Sequence, residues 1–355
     1  MTEESRSTFD LFLPPLFRTI LLKLQESQYE FIFNMHHIIT DGWSLEILKR
    51  DIFLLYRQYM NPQDAAVEPL EPLSLQYKDF AAWHNKQLVD PLVREQSHRF
   101  WKEKLKHGIE IPELPGIFGA QRESKQGAAY QCAIPGDTKN QLYSLARETK
   151  GTLFTVLFSF YLILLSRLSG QTGITCSIIS AGRKYPSLNQ IVGFFINSIL
   201  FKTRIDHGET YEVFLNRLNR EVQETYQHET YPLELVFKDL KMKYPQIPVS
   251  FNMLNIGEAS GKAELQSFAP YHLENGNDVK FDLEPYVSEY KNGIHMIWAY
   301  KKTLFKPFFI EHMANEYLKI MDFFIAGKSK NLNSYVQKEK KRQFSRGKKV
   351  IHERS

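Results

Sequence analysis

The chain has 355 residues and a formal net charge of +5, with 43% hydrophobic and 14% aromatic residues, a balance that predicts a globular protein with a sizeable core. The last twenty residues hold eight Lys or Arg and two Glu, so they contribute +6 and leave the body near −1, which argues against a nucleic-acid-binding face. The two cysteines, Cys132 and Cys176, and the lack of a signal-peptide pattern favour free thiols and a cytoplasmic location.

The first part of the chain is predicted to form two strands and then three helices. Apolar spacing and turn residues place strands at 15–24 and 28–35 and helices at 44–59, 75–88 and 91–107. Asp90 and Pro91 are the expected cap and first position of the last helix. Residues 112–127, rich in Gly and Pro, are predicted to be a linker between two lobes.

The second part mixes strands and helices. It is predicted to contain strands at 130–134, 174–179, 199–204, 248–255, 279–290 and 293–300 and helices at 137–149, 153–168, 210–227 and 307–326. The helix at 153–168 is very apolar but too short for a membrane span, so it is expected to be buried, with Thr152 as its cap and Gly170 at its end. Strands and helices without strict alternation favour an α+β sandwich over a doubly wound sheet.

Two adjacent histidines at the end of the second strand are the feature most suggestive of chemistry. His36 and His37 precede Asp41, Gly42 and a helix. An imidazole held near a carboxylate by a tight turn is a natural general base. A structural pair is the alternative. A shared metal is disfavoured because adjacent strand residues point to opposite faces, and no cysteine or third histidine lies at ligand spacing.

Residues 36–44 (His-His-Ile-Ile-Thr-Asp-Gly-Trp-Ser) resemble the active-site motif of condensation domains of nonribosomal peptide synthetases, in the chloramphenicol acetyltransferase-like superfamily. Four further segments fit the same family in the same order. They are 77–83 (Tyr-Lys-Asp-Phe-Ala-Ala-Trp), 181–183 (Ala-Gly-Arg), 191–198 (Ile-Val-Gly-Phe-Phe-Ile-Asn-Ser) and 228–234 (His-Glu-Thr-Tyr-Pro-Leu-Glu). Without the family, segment 77–83 predicts an amphipathic helix that buries Tyr77, Phe80 and Trp83.

The resemblance implies a two-lobed α/β sandwich with the histidine motif at the centre of a tunnel between the lobes. Residues 1–120 would form a partial N-terminal lobe, 121–330 the C-terminal lobe, and 331–355 a basic linker or disordered tail. The likeness begins near Phe9, and the family's earlier Ser-x-Ala-Gln-x-Arg and Arg-His-x-x-Leu-Arg motifs are not found. We therefore expect an incomplete first lobe with an uncovered sheet edge, self-association of the isolated chain and little condensation by it.

The resemblance also assigns roles within the motif. His37 is the expected base or positioning group for the attacking amine, and His36 is expected to point away from the tunnel and to fix the strand end. Asp41 resembles the aspartate that pairs with an arginine of the other lobe, for which Arg183 is the candidate; such a pair is mainly a structural device. Gly42 is expected to allow a close backbone approach or to adopt positive φ.

Trp43, Ser44 and Asn197 are expected to line the substrate tunnel, and a strand-end hydrogen bond is the alternative role for Asn197. No metal, nucleotide or flavin site is apparent in the sequence. The resemblance implies no permanently bound cofactor, because phosphopantetheine on partner carrier domains delivers the substrates. The expected partners are peptidyl or acyl carrier domains and the adenylation domain of the same assembly line, not nucleic acid or membrane.

Three functions are compatible with the sequence. The first is an acyltransferase that forms an amide bond between a donor acyl or peptidyl thioester and an acceptor aminoacyl thioester. The second is a non-catalytic remnant that binds a carrier protein. The third is a stand-alone acyltransferase that uses coenzyme A or another carrier thioester.

Overall fold

A computed structural model describes residues 8–63, 69–115, 124–254 and 278–335. The described residues form two compact units: 8–63, 69–89 and 181–196 in the first, and 90–115, 124–180, 197–254 and 278–335 in the second. The helix Pro91–Leu105 groups with the second unit, and residues 181–196 group with the first. The predicted lobe boundary at residue 120 had assigned the helix to the N-terminal lobe and residues 181–196 to the C-terminal lobe. Side chains of the first unit hold 181–196 in that unit, as described below. The lobe boundaries drawn from the family resemblance stay a prediction.

The first unit is built on an antiparallel ribbon of two strands. Strand β1 (Phe17–Gln25) pairs with β2 (Gln28–Met35), from Phe17 opposite Met35 to Gln25 opposite Gln28. Helices α1 (Gly42–Met60) and α2 (Tyr77–Val89) follow. All four elements lie where the sequence predicted them, because each has a clear apolar period and polar turn residues at its ends.

The ribbon and α1 leave large apolar side chains exposed. Leu21, Leu24 and Phe31 on the ribbon and Tyr56 and Tyr59 on α1 are among them. Exposed apolar patches of this kind favour association with other surfaces. Self-association of the isolated chain stays a prediction, and these side chains are its physical basis.

The second unit contains a mixed sheet of six strands in the order β3-β8-β7-β6-β4-β5. The strands are β3 (Gly127–Pro135), β4 (Gly173–Ser180), β5 (Asn197–Arg204), β6 (Ser250–Leu254), β7 (Leu283–Tyr290) and β8 (Gly293–Lys301). The pairs of β6 with β4 and β7 are parallel, and the others are antiparallel. Cys176 on β4 is a free, buried thiol whose pKa is raised by that burial.

Six helices belong to this unit, namely α3 (Pro91–Leu105), α4 (Gly136–Glu148), α5 (Leu153–Ser169), α6 (Tyr211–Gln227), α7 (Leu233–Asp239) and α8 (Pro307–Ile325). Helix α5 is buried, and its predicted ends are confirmed: the Thr152 side chain accepts from the Thr155 N–H, and Gly170 has φ 71°. Within the described ranges, no single helix is long and apolar enough to cross a membrane; α4 and α5 meet that criterion only together, across a 100° bend.

The second unit differs from the sequence prediction in several places. Strand β7 begins at Leu283 and not at residue 279. Of the predicted linker 112–127, residues 112–115 belong to this unit and residues 116–123 lie outside the described residues.

The short helix α7 was missed, because its seven residues are too few for a periodic pattern. The predicted tail began at residue 331, yet Asn331 bridges to Thr210, and Leu332 and Tyr335 are buried. The packed structure therefore continues to residue 335, and the rest of the predicted tail lies outside the described residues.

Candidate active site

Strand β2 leads into a short 3-10 turn, His37–Ile39, which His36 caps. The His36 backbone N–H donates to the Leu16 carbonyl at 2.9 Å, and its Nδ1 accepts from the Ile38 N–H at 3.1 Å. Its ring meets the Phe9 ring edge-on, with the centroids 6.1 Å apart. These contacts make His36 a residue that fixes the end of the strand.

His37 is held by the same turn through one of its two ring nitrogens. Its Nδ1 lies 2.7 Å from the Thr40 carbonyl oxygen. Because a carbonyl oxygen only accepts, Nδ1 carries the proton and donates. In the neutral ring Nε2 therefore holds the lone pair, which can accept a proton. The half-buried ring also meets the Phe194 ring edge-to-face, with the centroids 5.3 Å apart and the planes at 79°.

The buried carboxylate of Asp41 joins helix α1 to residues 181–196 of the first unit. It is the N-cap of α1, where its Oδ1 accepts from the Ser44 N–H at 2.7 Å. Its Oδ2 accepts from the Phe195 N–H at 3.0 Å. Arg183 Nη2 lies 3.3 Å from Oδ1, and the two side chains are 2% and 0% exposed. Because both charges are buried, each depends on the other for compensation.

The expected pair of Asp41 with Arg183 is confirmed, and both residues lie in the first unit; that the pair joins two lobes stays a prediction. Arg183 Nη1 donates to the carbonyls of Leu188 at 2.5 Å and Ile191 at 2.8 Å. Its guanidinium lies over the Phe195 ring, 4.0 Å from the centroid. Burial lowers the pKa of Arg183, and the Asp41 carboxylate opposes that shift. The arginine thus organises its own segment and ties it to α1.

Trp43 and Ser44 both form hydrogen bonds with residues 181–196. Ser44 has no exposed surface that could line a tunnel, and for Trp43 that role stays a prediction. Ser44 is fully buried, and its Oγ accepts from the Gly193 N–H at 3.0 Å and from Arg183 Nη2 at 2.9 Å while donating to the Gly193 carbonyl at 2.8 Å. Trp43 Nε1 donates to the Asn189 carbonyl at 3.0 Å. Both side chains therefore serve to hold residues 181–196 in the first unit.

The glycines of this unit differ in how tightly they are enclosed. A Cβ on Gly42 would meet no atom within 4 Å, and the φ angle of Gly42 is not positive. The prediction that Gly42 allows a close backbone approach or adopts a positive φ is therefore wrong. Gly42 is simply the first residue of α1. In contrast, a Cβ on Gly193 would lie 2.1 Å from Tyr77 Cδ2, and Gly182 has φ 65°. The packing thus requires glycine at 182 and 193 but not at 42.

We expect Gly193→Ala to lower the free energy of unfolding by about 1–3 kcal/mol, the usual cost of overpacking, because the new methyl group would displace the Tyr77 ring. Gly42→Ala is the matched control. It should leave that free energy unchanged or raise it by up to about 1 kcal/mol, since alanine is the better helix former. Urea unfolding followed by circular dichroism measures both variants. Equal destabilisation by the two would contradict the packing described here.

Tyr77 and Phe194, which the sequence did not single out as site residues, complete the surroundings of His37. Tyr77 Oη donates to the Phe194 carbonyl at 2.7 Å, and its ring meets the Phe195 ring edge-on at 5.1 Å. Burial and the Asp41 charge raise the pKa of the Tyr77 phenol, which remains a donor. Both residues lie in segments that resemble the family's motifs. Their contacts with each other depend on the fold, however, and could not be predicted from the sequence of either segment.

Helix α2 buries less of its apolar face than the sequence predicted. Tyr77 and Phe80 pack against the cluster of Leu188, Ile191 and Phe195. Trp83, which was expected to be buried with them, is 36% exposed. Its ring meets Tyr185 edge-on at the surface, with the centroids 5.5 Å apart.

Asn197 belongs to the second unit, where it starts β5 opposite Ser180. Its Nδ2 donates to the Glu229 carbonyl, and Ser180 Oγ donates to Glu229 Oε2 at 2.5 Å. The neighbouring His228 stacks on Phe100, with the centroids 4.1 Å apart. Asn197 therefore makes the strand-end hydrogen bond that was the alternative for it, and a contact with substrate stays a prediction.

The second unit also contains a cavity of about 820 Å³, within the size range of small-molecule sites. Its lining includes the ion pair of Lys301 Nζ with Asp282 Oδ1, 2.8 Å apart, and the hydroxyls of Ser177 and Ser198, which are 2.6 Å apart. Leucine and proline side chains form much of the remaining wall. In the part of the chain that the structure describes, no group of three His, Cys, Asp or Glu is placed to hold a metal ion.

Comparison with known proteins gives a consistent result. The model of the Condensation domain family matches residues 1–344. The chain is 30% identical over 324 residues to gramicidin S synthase 2 of Brevibacillus brevis, and the aligned residues cover 90% of this chain and 7% of that protein. It is 29% identical over 336 residues to surfactin synthase subunit 1 of Bacillus subtilis (strain 168), covering 92% and 9%. The chain thus spans less than a tenth of the length of these relatives.

Solved structures show the same fold. The X-domain from teicoplanin biosynthesis matches with a TM-score of 0.77 at 18% identity, covering 93% of this chain and 76% of that one. A four-domain nonribosomal peptide synthetase bound to AMP and glycine matches with a TM-score of 0.76 at 20% identity, covering 93% and 26%. The predicted α+β fold of the chloramphenicol acetyltransferase type is confirmed.

Proposed function

The chain belongs to the condensation domain family, and on this premise we propose that it joins a donor acyl or peptidyl thioester to the amine of an acceptor aminoacyl thioester. The geometry of His37 is the observation that carries the proposal. Its Nδ1–H is committed to the Thr40 carbonyl at 2.7 Å, so the neutral ring offers Nε2 as a proton acceptor. A half-buried, oriented imidazole of this kind suits general base catalysis.

In the proposed reaction the acceptor amine attacks the carbonyl carbon of the donor thioester. The C–N bond forms while the carbonyl electrons move to oxygen, and His37 Nε2 takes the proton that the amine loses. The tetrahedral intermediate then collapses, the C–S bond breaks, and the leaving thiolate takes a proton from the imidazolium. The products are an amide on the acceptor and a free thiol on the donor carrier, and His37 ends in its starting form.

Two effects would contribute to the acceleration of amide formation. A well-placed base contributes typically about 10²–10⁴-fold. Holding the amine and the thioester together contributes as much or more through proximity. The buried pair of Asp41 and Arg183 supports the first effect, because Asp41 follows Thr40, whose carbonyl oxygen orients His37.

We propose that the substrates arrive on phosphopantetheine arms of carrier domains, and that the chain holds no cofactor of its own. The arm supplies the thioester and its thiol leaving group. The partners are then the carrier domains and the adenylation domain that loads the acceptor. A cytoplasmic location is part of the same proposal.

The test uses two separately purified carrier proteins. The donor carries N-acetylalanyl-phosphopantetheine, the acceptor carries one of a panel of aminoacyl groups, and intact-protein mass spectrometry follows both arms. We expect the N-acetylalanyl mass to leave the donor and to appear on an acceptor arm, at the low rate that the family resemblance predicts for the isolated chain. Product from acetyl-coenzyme A and a free amine, with none from loaded carriers, would instead identify a stand-alone acyltransferase. Carrier binding without product would identify a non-catalytic carrier-binding module.

A further inference from the structure

Phe194 contacts the proposed base without belonging to the core. Its ring is 36% exposed, whereas the neighbouring Phe195 is 5% exposed and packs with Leu188 and Ile191. The Phe194 ring lies 5.3 Å from the His37 ring, centroid to centroid, with the planes at 79°. This distance and angle fall in the range that favours edge-to-face aromatic pairs. Core packing therefore does not explain the position of the Phe194 ring, and its contact with His37 indicates a different role.

The backbone on both sides of Phe194 is anchored. The Phe194 carbonyl accepts from Tyr77 Oη at 2.7 Å, and the Phe195 N–H donates to Asp41 Oδ2 at 3.0 Å. Gly193 lies against the Tyr77 ring so closely that a Cβ there would be 2.1 Å from Tyr77 Cδ2. These contacts fix the direction in which the Phe194 side chain leaves the main chain.

The hydrogen bond of His37 to Thr40 constrains one ring nitrogen but not the faces of the ring. The Phe194 ring, which meets the imidazole edge-to-face, is a second contact on that ring. We propose that Phe194 is a positioning residue, whose ring keeps His37 in the rotamer in which Nδ1 donates to Thr40 and Nε2 is presented to the reacting amine. The presentation to the amine rests on the proposed function, whereas the fixed rotamer does not.

The proposal ranks a set of variants. Phe194→Ala removes the ring and should lower kcat at least about ten-fold, because small errors in the placement of a catalytic group are costly. KM should change less than about two-fold, since binding of the carriers is not altered. Phe194→Tyr keeps the ring and should retain most of the activity. Tyr77→Phe removes only the anchor of the Phe194 carbonyl and should have a smaller effect.

Tyr185→Ala is the matched control, because Tyr185 is another exposed aromatic residue on segment 181–196 but contacts Trp83. It should leave kcat unchanged. Phe194→Leu, which keeps an apolar side chain without a ring, replaces Phe194→Ala if circular dichroism shows that the alanine variant does not fold. An unchanged kcat in the ring-less variant, or an equal loss in Phe194→Tyr, would overturn the proposal.

A second measurement does not depend on activity. Long-range ¹H–¹⁵N spectra of the full chain at about pH 8, where an ordinary imidazole is neutral, report the tautomer of each histidine. We expect His37 in the wild-type protein to be the Nδ1–H tautomer and, in folded Phe194→Ala, to average between both tautomers. A wild-type protein without condensation activity would contradict the proposed function only. A His37 spectrum that Phe194→Ala leaves unchanged would contradict the positioning role, whatever the activity.

Discussion

His37→Ala is expected to lower the rate of amide formation at least about a hundred-fold, because a general base contributes about 10²–10⁴-fold. The fold should survive, since the side chain is half-buried and makes its hydrogen bond to a local carbonyl within the same turn. A residual rate is expected from proximity alone. Mass spectrometry of the loaded carriers measures the rate, and circular dichroism verifies the fold.

Two further variants separate the base from its surroundings. His37→Asn can still donate to the Thr40 carbonyl but offers no basic nitrogen at the Nε2 position, so it should be as slow as His37→Ala and at least as stable. His107→Ala removes an exposed histidine of the second unit and should leave the rate unchanged. Wild-type rates in His37→Asn would show that hydrogen bonding and not proton transfer is the task of this residue.

Asp41→Ala is expected to lower the free energy of unfolding by about 3–5 kcal/mol, the usual cost of leaving one partner of a buried ion pair uncompensated. The carboxylate also caps α1 and accepts from the Phe195 N–H at 3.0 Å, so three groups lose a partner at once. Urea unfolding followed by circular dichroism measures the loss. The free energy of substrate binding should change less than the free energy of unfolding, because the carboxylate is buried.

Asp79→Ala is the matched control for this loss, because Asp79 is an exposed aspartate in the first turn of α2 that accepts from the Gln76 N–H at 2.8 Å. It should cost about 1 kcal/mol or less, as an ordinary exposed cap does. Asp41→Asn keeps the shape but not the charge and should fall between the two. A loss at Asp41 no larger than that at Asp79 would show that the pair with Arg183 does not stabilise the unit.

Periodicity and capping residues are strong local signals, and they located most elements of both units. Helix α5 is the clearest case, since its length, its Thr152 cap and its terminal Gly170 are all local features. Helix α7 is the opposite case, because seven residues after a proline do not define a period. Residues 181–196 group with the first unit through long-range contacts, which no local pattern reveals.

Prediction of the candidate site from the sequence was limited in the same way. The family motif pointed to His37, Asp41 and Arg183, and the structure places the last two within 3.3 Å. The motif could not separate a residue that meets substrate from one that holds the backbone. Ser44 lies in the motif yet is fully buried against Gly193, whereas Phe194 contacts His37 from a segment more than a hundred residues away in sequence.

A single-turnover measurement tests the central claim most directly. The wild-type chain and His37→Asn are each mixed with a donor carrier bearing N-acetylalanyl-phosphopantetheine and with an aminoacyl-loaded acceptor carrier. Intact masses of both arms are then followed in time. We predict that the wild-type chain moves the N-acetylalanyl group to the acceptor amine and frees the donor thiol, while His37→Asn does so at least about a hundred-fold more slowly. Transfer at the same rate by both proteins would contradict the assignment of His37 as the base.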